Sequence, residues 1–152
     1  MRKIILLLLL STTITNAQKL INTSHKYSYE IERYNEDNDC SVRTIAEAFD
    51  IKYVRARFIL QSYGRKKGVG MAYRNYYNAV TKSFPEKIYA IERVPQYTAN
   101  HFISKIAEDG YTYILITYDH TFIIQQYGGH WQIKGNYGDQ FKKIIQYIKI
   151  KN

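Results

Sequence analysis

Apolar residues recur along this chain with two different periods. Val42, Ile45, Ala46 and Phe49 fall at i, i+3, i+4 and i+7, which makes one stripe of a helix. Asn38 and Asp39 stand just before them, and both residue types cap helix starts, so a helix is expected over 40–49. Val54, Phe58 and Ile59 set a second helix over 52–62, with Gly64 as its stop. Tyr73, Tyr77 and Val80 set a third over 71–84, ended by Pro85. Residues 87–94 read as a short strand. Thr98 is placed to cap a further helix that turns Phe102, Ile103 and Ile106 inward and ends at Gly110. The stretch 18–38 is polar and weakly patterned, with one short strand expected at 27–31.

From Tyr111 onward the period shortens. Residues 111–118 are rich in branched and aromatic side chains, as strands are. A second strand is expected over 120–126, a tight turn at Gly128-Gly129, a third strand over 130–134 and another turn at 136–139. Phe141 to Ile150 is read as a final strand, although Phe141, Ile144, Ile145 and Ile148 also fit a helical spacing. Helices first and an antiparallel sheet afterwards define the α+β class.

The N-terminus has its own pattern. Arg2 and Lys3 precede a short apolar run over 4–10, and small polar residues follow, with Thr15 and Ala17 at cleavage-site positions. This predicts a signal peptide over 1–17, export to the periplasm or medium of a bacterial cell, and a single domain over 18–152. The run is shorter than the roughly 20 residues that span a bilayer, and no cysteine follows it to carry a lipid, so no stable membrane anchor is expected.

The net charge of +9 is spread along the chain, with one cluster at Arg65-Lys66-Lys67. It suits anionic surroundings, but there is no Arg-rich helix or RNA-binding signature, so nucleic acid is not an expected partner. Sixteen tyrosines fit a sheet half exposed to water. Histidines at zinc spacing, a calcium loop and a phosphate-binding glycine motif are all absent, so neither metal nor cofactor is expected. A monomer is the default.

Cys40 is the only cysteine. In an exported chain it is inert core, a link to another chain, or a reactive thiol. It stands at the start of the predicted helix and just off its apolar stripe. The unsatisfied N–H groups there lower a thiol's pKa and can stabilise an oxyanion. A cysteine nucleophile needs a base, usually His, and a third group to hold that ring. His25, His101, His120 and His130 are available. His120 heads a strand, and counting back across the Gly128-Gly129 turn brings Asn136 near it.

This order of residues resembles the papain-like cysteine peptidases, and within them the subgroup similar to bacteriocin-leader (double-glycine) peptidases. The likeness rests on Asn38-Asp39-Cys40-Ser41-Val42-Arg43-Thr44-Ile45-Ala46, on the basic glycine-containing Gly64-Arg65-Lys66-Lys67-Gly68, and on Gly110-Tyr111-Thr112-Tyr113-Ile114-Leu115-Ile116 leading to His120-Thr121-Phe122-Ile123-Ile124. It implies a nucleophile helix packed with other N-terminal helices on a C-terminal antiparallel sheet. It also implies a catalytic triad of Cys40, His120 and Asn136, with a peptide or cell-wall peptide as substrate. The Cys40 N–H would supply half of an oxyanion hole. The family's Gln before the Cys is missing, and only Asn35 and Asn38 offer amides there. Asp119, not a small residue, precedes the His. Two other readings stand beside a peptidase. An NlpC-type cell-wall amidase shares Asp-Cys-Ser and would use His130, but Val42 stands where that family has a small residue. A catalytically degenerate binding protein on the same scaffold would present the loop 64–70 and Tyr73, Tyr76 and Tyr77. Nothing in the sequence identifies substrate-binding residues.

Overall fold

The structure is a computed structural model that describes residues 18–152. The expected signal peptide and its cleavage site at Ala17 lie outside the described residues. The chain opens with a short strand β1 (Lys19–Asn22) and helices α1 (Thr23–Lys26), α2 (Ser28–Tyr34), α3 (Cys40–Ala48), α4 (Tyr53–Ser62) and α5 (Tyr73–Ser83). A 3-10 turn at Pro85–Lys87 leads into β2 (Ile88–Tyr97), followed by α6 (Ala99–Lys105). Strands β3 (Tyr111–Ile116), β4 (Thr121–Tyr127) and β5 (His130–Gly135) come next, then a 3-10 turn at Asp139–Phe141, then β6 (Ile144–Lys151). The class is α+β, as expected. The sheet is mixed, in the order β1-β5-β4-β3-β6-β2, with β1 parallel to β5 and every other pair antiparallel. Only four of its strands belong to the C-terminal part of the chain.

The central strands are buried on both faces, so the half-wet sheet anticipated from the tyrosines is not what forms. Alternate residues of β3 point to opposite sides. Ile114 and Ile116, with Ile148 and Ile150, meet Val42, Ile45, Ala56, Leu60, Ala79 and Val80 of α3, α4 and α5. Tyr113 and Leu115 meet Phe102 and Ala99 of α6 on the other side, together with Phe122, Trp131 and Ile133. Tyr27, Tyr53, Tyr76, Tyr113 and Tyr147 are all core residues.

Three expectations are corrected, one of them a strand and two of them the buried faces of helices. The stretch expected as a strand at 27–31 is helical, because Tyr27, Ile31 and Tyr34 repeat at i, i+4 and i+7 and pack on the core below α3 and α4. Helix α4 buries Tyr53, Ala56 and Leu60 and leaves Val54 and Phe58 outside, Phe58 at 71% exposure. Helix α5 buries Tyr76, Ala79 and Val80, whereas Tyr73 is exposed. Strand β2 runs past Val94 through Pro95, which an edge strand tolerates because one side of it has no partner strand and its register with β6 slips there. Strand β1 has no counterpart among the sequence expectations. It is four residues long, and only Leu20 and Ile21 mark it.

One residue of the basic loop, Arg65, is a buried anchor, while Lys66 and Lys67 beside it are exposed. Arg65, with no exposed side-chain area, donates to both Glu36 oxygens at 3.1 and 2.8 Å and to the Asn38 carbonyl at 3.0 Å. Arg57 and the Gly68 N–H complete the shell around Glu36 at 2.8 and 3.2 Å. Burial works against the Glu36 charge, but these donors outweigh it and hold the carboxyl down at about 2. The loop thereby fixes the segment that enters α3. Glu36→Gln is expected to cost about 3–5 kcal/mol, since it strands a buried guanidinium. Urea unfolding at neutral pH measures this, and a loss below about 1 kcal/mol would contradict it. The lowered folded pKa sets the sign of the pH dependence. The advantage over Glu36→Gln is complete above the ordinary carboxyl pKa of 4.5 and vanishes as pH falls through about 2.

Candidate active site

Cys40 is the first residue of α3 and is half-buried. Asp39 occupies the N-cap position, but its side chain does not cap the helix. Its carbonyl accepts from the N–H groups of Val42 and Arg43 at 2.8 and 3.0 Å, while its carboxylate turns inward to Arg43 Nε and Tyr53 Oη, each at 2.9 Å. The N–H groups of Cys40 and Ser41 fall in the first turn, where a helix has no internal acceptor for them. The donor end of the helix thus faces the thiol.

One turn further along, Thr44 ties α3 to the head of β4. Its Oγ1 lies 3.1 Å from Thr121 Oγ1 and 3.2 Å from the Thr121 carbonyl. Thr44 shares a helix face with Cys40, and Thr121 directly follows His120, so this clip brings thiol and imidazole together. His120 itself closes the β3–β4 turn, its carbonyl accepting the Thr117 N–H at 2.9 Å. Its ring lines the same cleft as the Cys40 thiol, together with Thr121, close enough for each of the two groups to act on the other's titration.

The third group is Asp139, not Asn136. His120 Nε2 lies 2.9 Å from Asp139 Oδ2, which leaves Nδ1 as the nitrogen for Cys40. Asp139 is buried, and the same Oδ2 accepts the backbone N–H of Asn136. The cross-hairpin count was sound for the backbone: β5 returns beside β4 and ends at Gly135, next to Asn136. The side chain of Asn136, however, accepts from Arg43 Nη1 at 2.8 Å. Asn136 therefore braces the turn, and the turn delivers Asp139. Gly135 makes room for it. A Cβ at residue 135 would run into the Asp139 carboxylate and come within 2.9 Å of Phe122 Cβ. The sequence signal for Asp139 was its place three residues after Asn136, in the same turn.

Burial works to raise the Cys40 thiol, but the His120 hydrogen bond and charge, the Thr121 N–H and Arg43 outweigh it and hold it below the ordinary thiol value. Burial works to lower His120, but Asp139 and the paired thiol outweigh it and lift the imidazole to about 9. Both shifts favour the charged forms, thiolate on Cys40 and imidazolium on His120. Asp119 plays no part in it. Its exposed carboxylate is engaged by Lys142 at 2.9 Å and by Thr117 at 3.0 Å.

Other expected residues lie elsewhere. Asn35 is the exposed left-handed C-cap of α2 at φ 50°, Asn38 is exposed, and neither lines the cleft of about 260 Å³ that Cys40 and His120 share. That cleft is walled by Met71, Tyr73, Tyr76, Ile116 and Tyr118. Tyr76 Oη is buried there beside Thr121 without a well-formed hydrogen bond. His130 begins β5, at the opposite end of the hairpin from His120, roughly 20 Å along the strand, which removes the third residue of an NlpC-type site. His25 and His101 are exposed on α1 and α6. A larger cavity, about 830 Å³, lies between α2, α4 and the sheet and contains neither Cys40 nor His120. Its carboxylate Glu47 is already engaged by Lys26, Tyr27 and Lys134. Among the described residues, no group of three His, Cys, Asp or Glu side chains is placed to hold a metal ion, and no helix is long and apolar enough to cross a membrane.

Comparison with known protein families, with characterised proteins and with solved structures finds no match to this chain.

The geometry separates two roles. Asp139→Asn removes the charge that holds the ring and is expected to move the His120 titration downward from about 9 by at least a unit, measured by NMR of the imidazole. Asn136→Ala leaves that charge in place and is expected to shift it by much less. Equal shifts in both variants would contradict the assignment.

Proposed function

We propose that the protein is a cysteine hydrolase with a papain-like arrangement, cleaving amide bonds in peptides. The observation that carries this reading is the meeting of three residues far apart in sequence. Cys40 stands at a helix start, His120 pairs with it, and Asp139 holds the far side of the His120 ring at 2.9 Å. The resemblance to papain-like peptidases in residue order supports the same reading, with Asp139 in place of Asn136 as orienter. The basic, apolar and small residues of the first seventeen positions support export.

In this mechanism the Cys40 thiolate attacks the carbonyl carbon, and the carbonyl π electrons move to oxygen. The Cys40 N–H at the helix end donates to that oxyanion, where electrostatic stabilisation has its largest effect. His120, already protonated, gives its proton to the departing nitrogen as the C–N bond breaks. This leaves a thioester on Cys40. A water then attacks the thioester, with neutral His120 taking its proton, and the acid leaves as the thiolate is restored. Asp139 keeps the ring in one tautomer throughout and stabilises its charged form.

An amidase of the NlpC type has lost its third residue with His130, and a degenerate binding protein has no need of a depressed thiol paired with a raised imidazole. The experiment is hydrolysis of casein and of peptidoglycan by the chain beginning at Gln18, with Cys40→Ala and His120→Ala as controls. Casein cleavage that is lost in both variants is expected, by at least about a hundredfold. The rate should rise with the thiol at low pH and fall as pH passes about 9, where the imidazolium loses the proton it must donate. Iodoacetamide alkylation of Cys40 follows only the thiolate, so it should rise below the ordinary thiol range and not fall at high pH. Alkylation at the rate of a free thiol at neutral pH, or peptide hydrolysis surviving Cys40→Ala, would overturn the reading.

A further inference from the structure

The cleft at Cys40 does not end at the pair. Tyr73 and Tyr118, which wall it, also wall a second cleft of about 450 Å³. The far side of that second cleft is the segment Val94-Pro95-Gln96 of β2. Here the edge strand leaves its ladder: its register with β6 slips between Arg93 and Tyr97, and Gln96 sits at φ 50°. A non-glycine residue in the left-handed region is strained, and such strain and such slips gather where a side chain must be re-aimed. Both tyrosines are held in place. Tyr73 Oη donates to Gln146 Oε1 at 2.6 Å, and Gln96 Nε2 donates to Tyr118 Oη at 3.3 Å. Two braced aromatic rings facing valine and proline make a wall for a flat or apolar side chain.

Arg93 is the only charged residue lining this second cleft. Among the described residues it takes part in no ion pair; Arg33, Arg55 and Arg74 take part in none either, but of these only Arg93 lines this cleft, and Arg43, Arg57 and Arg65 are each matched to a carboxylate. A guanidinium with its fork free, at the end of an otherwise neutral groove, is complementary to a carboxylate, which it can bind through two parallel hydrogen bonds.

We propose that this second cleft is the substrate-selecting subsite and that it takes a peptide segment bearing an apolar or aromatic residue followed by a carboxylate, which Arg93 binds a few residues from the scissile bond. The inference rests on the reading of Cys40 as a nucleophile acting on peptides and adds the substrate's chemical class to it. The carboxylate has two sources, an acidic side chain or the peptide's own C-terminus.

Binding reads this without cleavage. The Cys40→Ala chain is titrated by fluorescence polarisation at low salt with labelled peptides that carry Tyr-Glu or Tyr-Gln at stepped positions, each with a free and an amidated C-terminus. The Tyr-Glu peptides are expected to bind at least about fivefold more tightly than Tyr-Gln at one position of the series, and salt should weaken that preference. A preference that follows the free C-terminus and ignores Glu assigns the carboxylate to the chain end. Arg93→Gln is expected to abolish the preference with an unchanged melting temperature, and Arg93→Glu to transfer it to Tyr-Lys peptides. Equal binding of all peptides, or a preference that survives Arg93→Gln, overturns the proposal. Alkylation of Cys40 in the wild-type chain is measured in parallel. A Cys40 of ordinary reactivity together with an Arg93-dependent preference would remove the hydrolase reading and leave the carboxylate-binding groove standing.

Discussion

The buried guanidinium of Arg43 is the contact on which the site depends. It lies one turn along the helix from Cys40 and reaches three partners, one local and two from distant parts of the chain. Nε donates to Asp39 at 2.9 Å, and Nη1 donates to Thr23 and to Asn136, each at 2.8 Å. Asp39 in turn accepts Tyr53 Oη from α4. One side chain thus joins the segment after β1, the nucleophile helix, the helix that follows it and the turn that presents Asp139. A buried charge contributes this much order only when its donors are matched, and here they are. Its cost in solvation is shared between an ion pair and neutral oxygens rather than left open.

The same logic runs through the rest of the charged core. The chain is strongly basic, yet its buried carboxylates are surrounded by donors, and its buried cations face acceptors, only Arg65 Nε among them lacking one. Glu36 collects two arginines and a backbone N–H. Glu47 collects two lysines and a tyrosine. Lys149 stands over Tyr89 and Tyr111 and reaches Glu108 at 2.8 Å. Against that background the Cys40–His120 pair stands out because it lines a cleft, whereas the other charged groups are engaged by their partners.

Much of this was legible in the sequence. The 3.6-residue stripe at Val42, Ile45 and Ala46 located the nucleophile helix because a single face of it is buried, and Gly128-Gly129 located the hairpin because both glycines take positive φ there, at 57° and 78°. Cys40 and His120 followed from those two elements. What failed did so for definite reasons. Asn136 and Asp139 lie in one turn, and backbone counting cannot say which side chain points back at the ring. That choice is made by Gly135, whose missing Cβ admits the Asp139 carboxylate, and by Arg43, which occupies the Asn136 amide. The faces of α4 and α5 were misread because Phe58 and Tyr73 look like core by type, while the sheet accepts the smaller Ala56 and Ala79 where helices must come close. Strand β1 was invisible because a four-residue parallel edge strand draws its identity from its neighbour, not from its own pattern.

Strand β6 comes last in the chain and lies between β3 and β2, inside the sheet. The central face on which α3 and α5 rest is therefore incomplete until nearly the whole chain has been made, and Asp139 itself precedes that strand by only a few residues. Contacts this distant in sequence close late in folding. Cys40 stands near the start of the described residues, and both His120 and Asp139 reach it only through contacts distant in sequence. The cleft that Cys40 and His120 share is thus assembled from elements that meet only when the sheet closes.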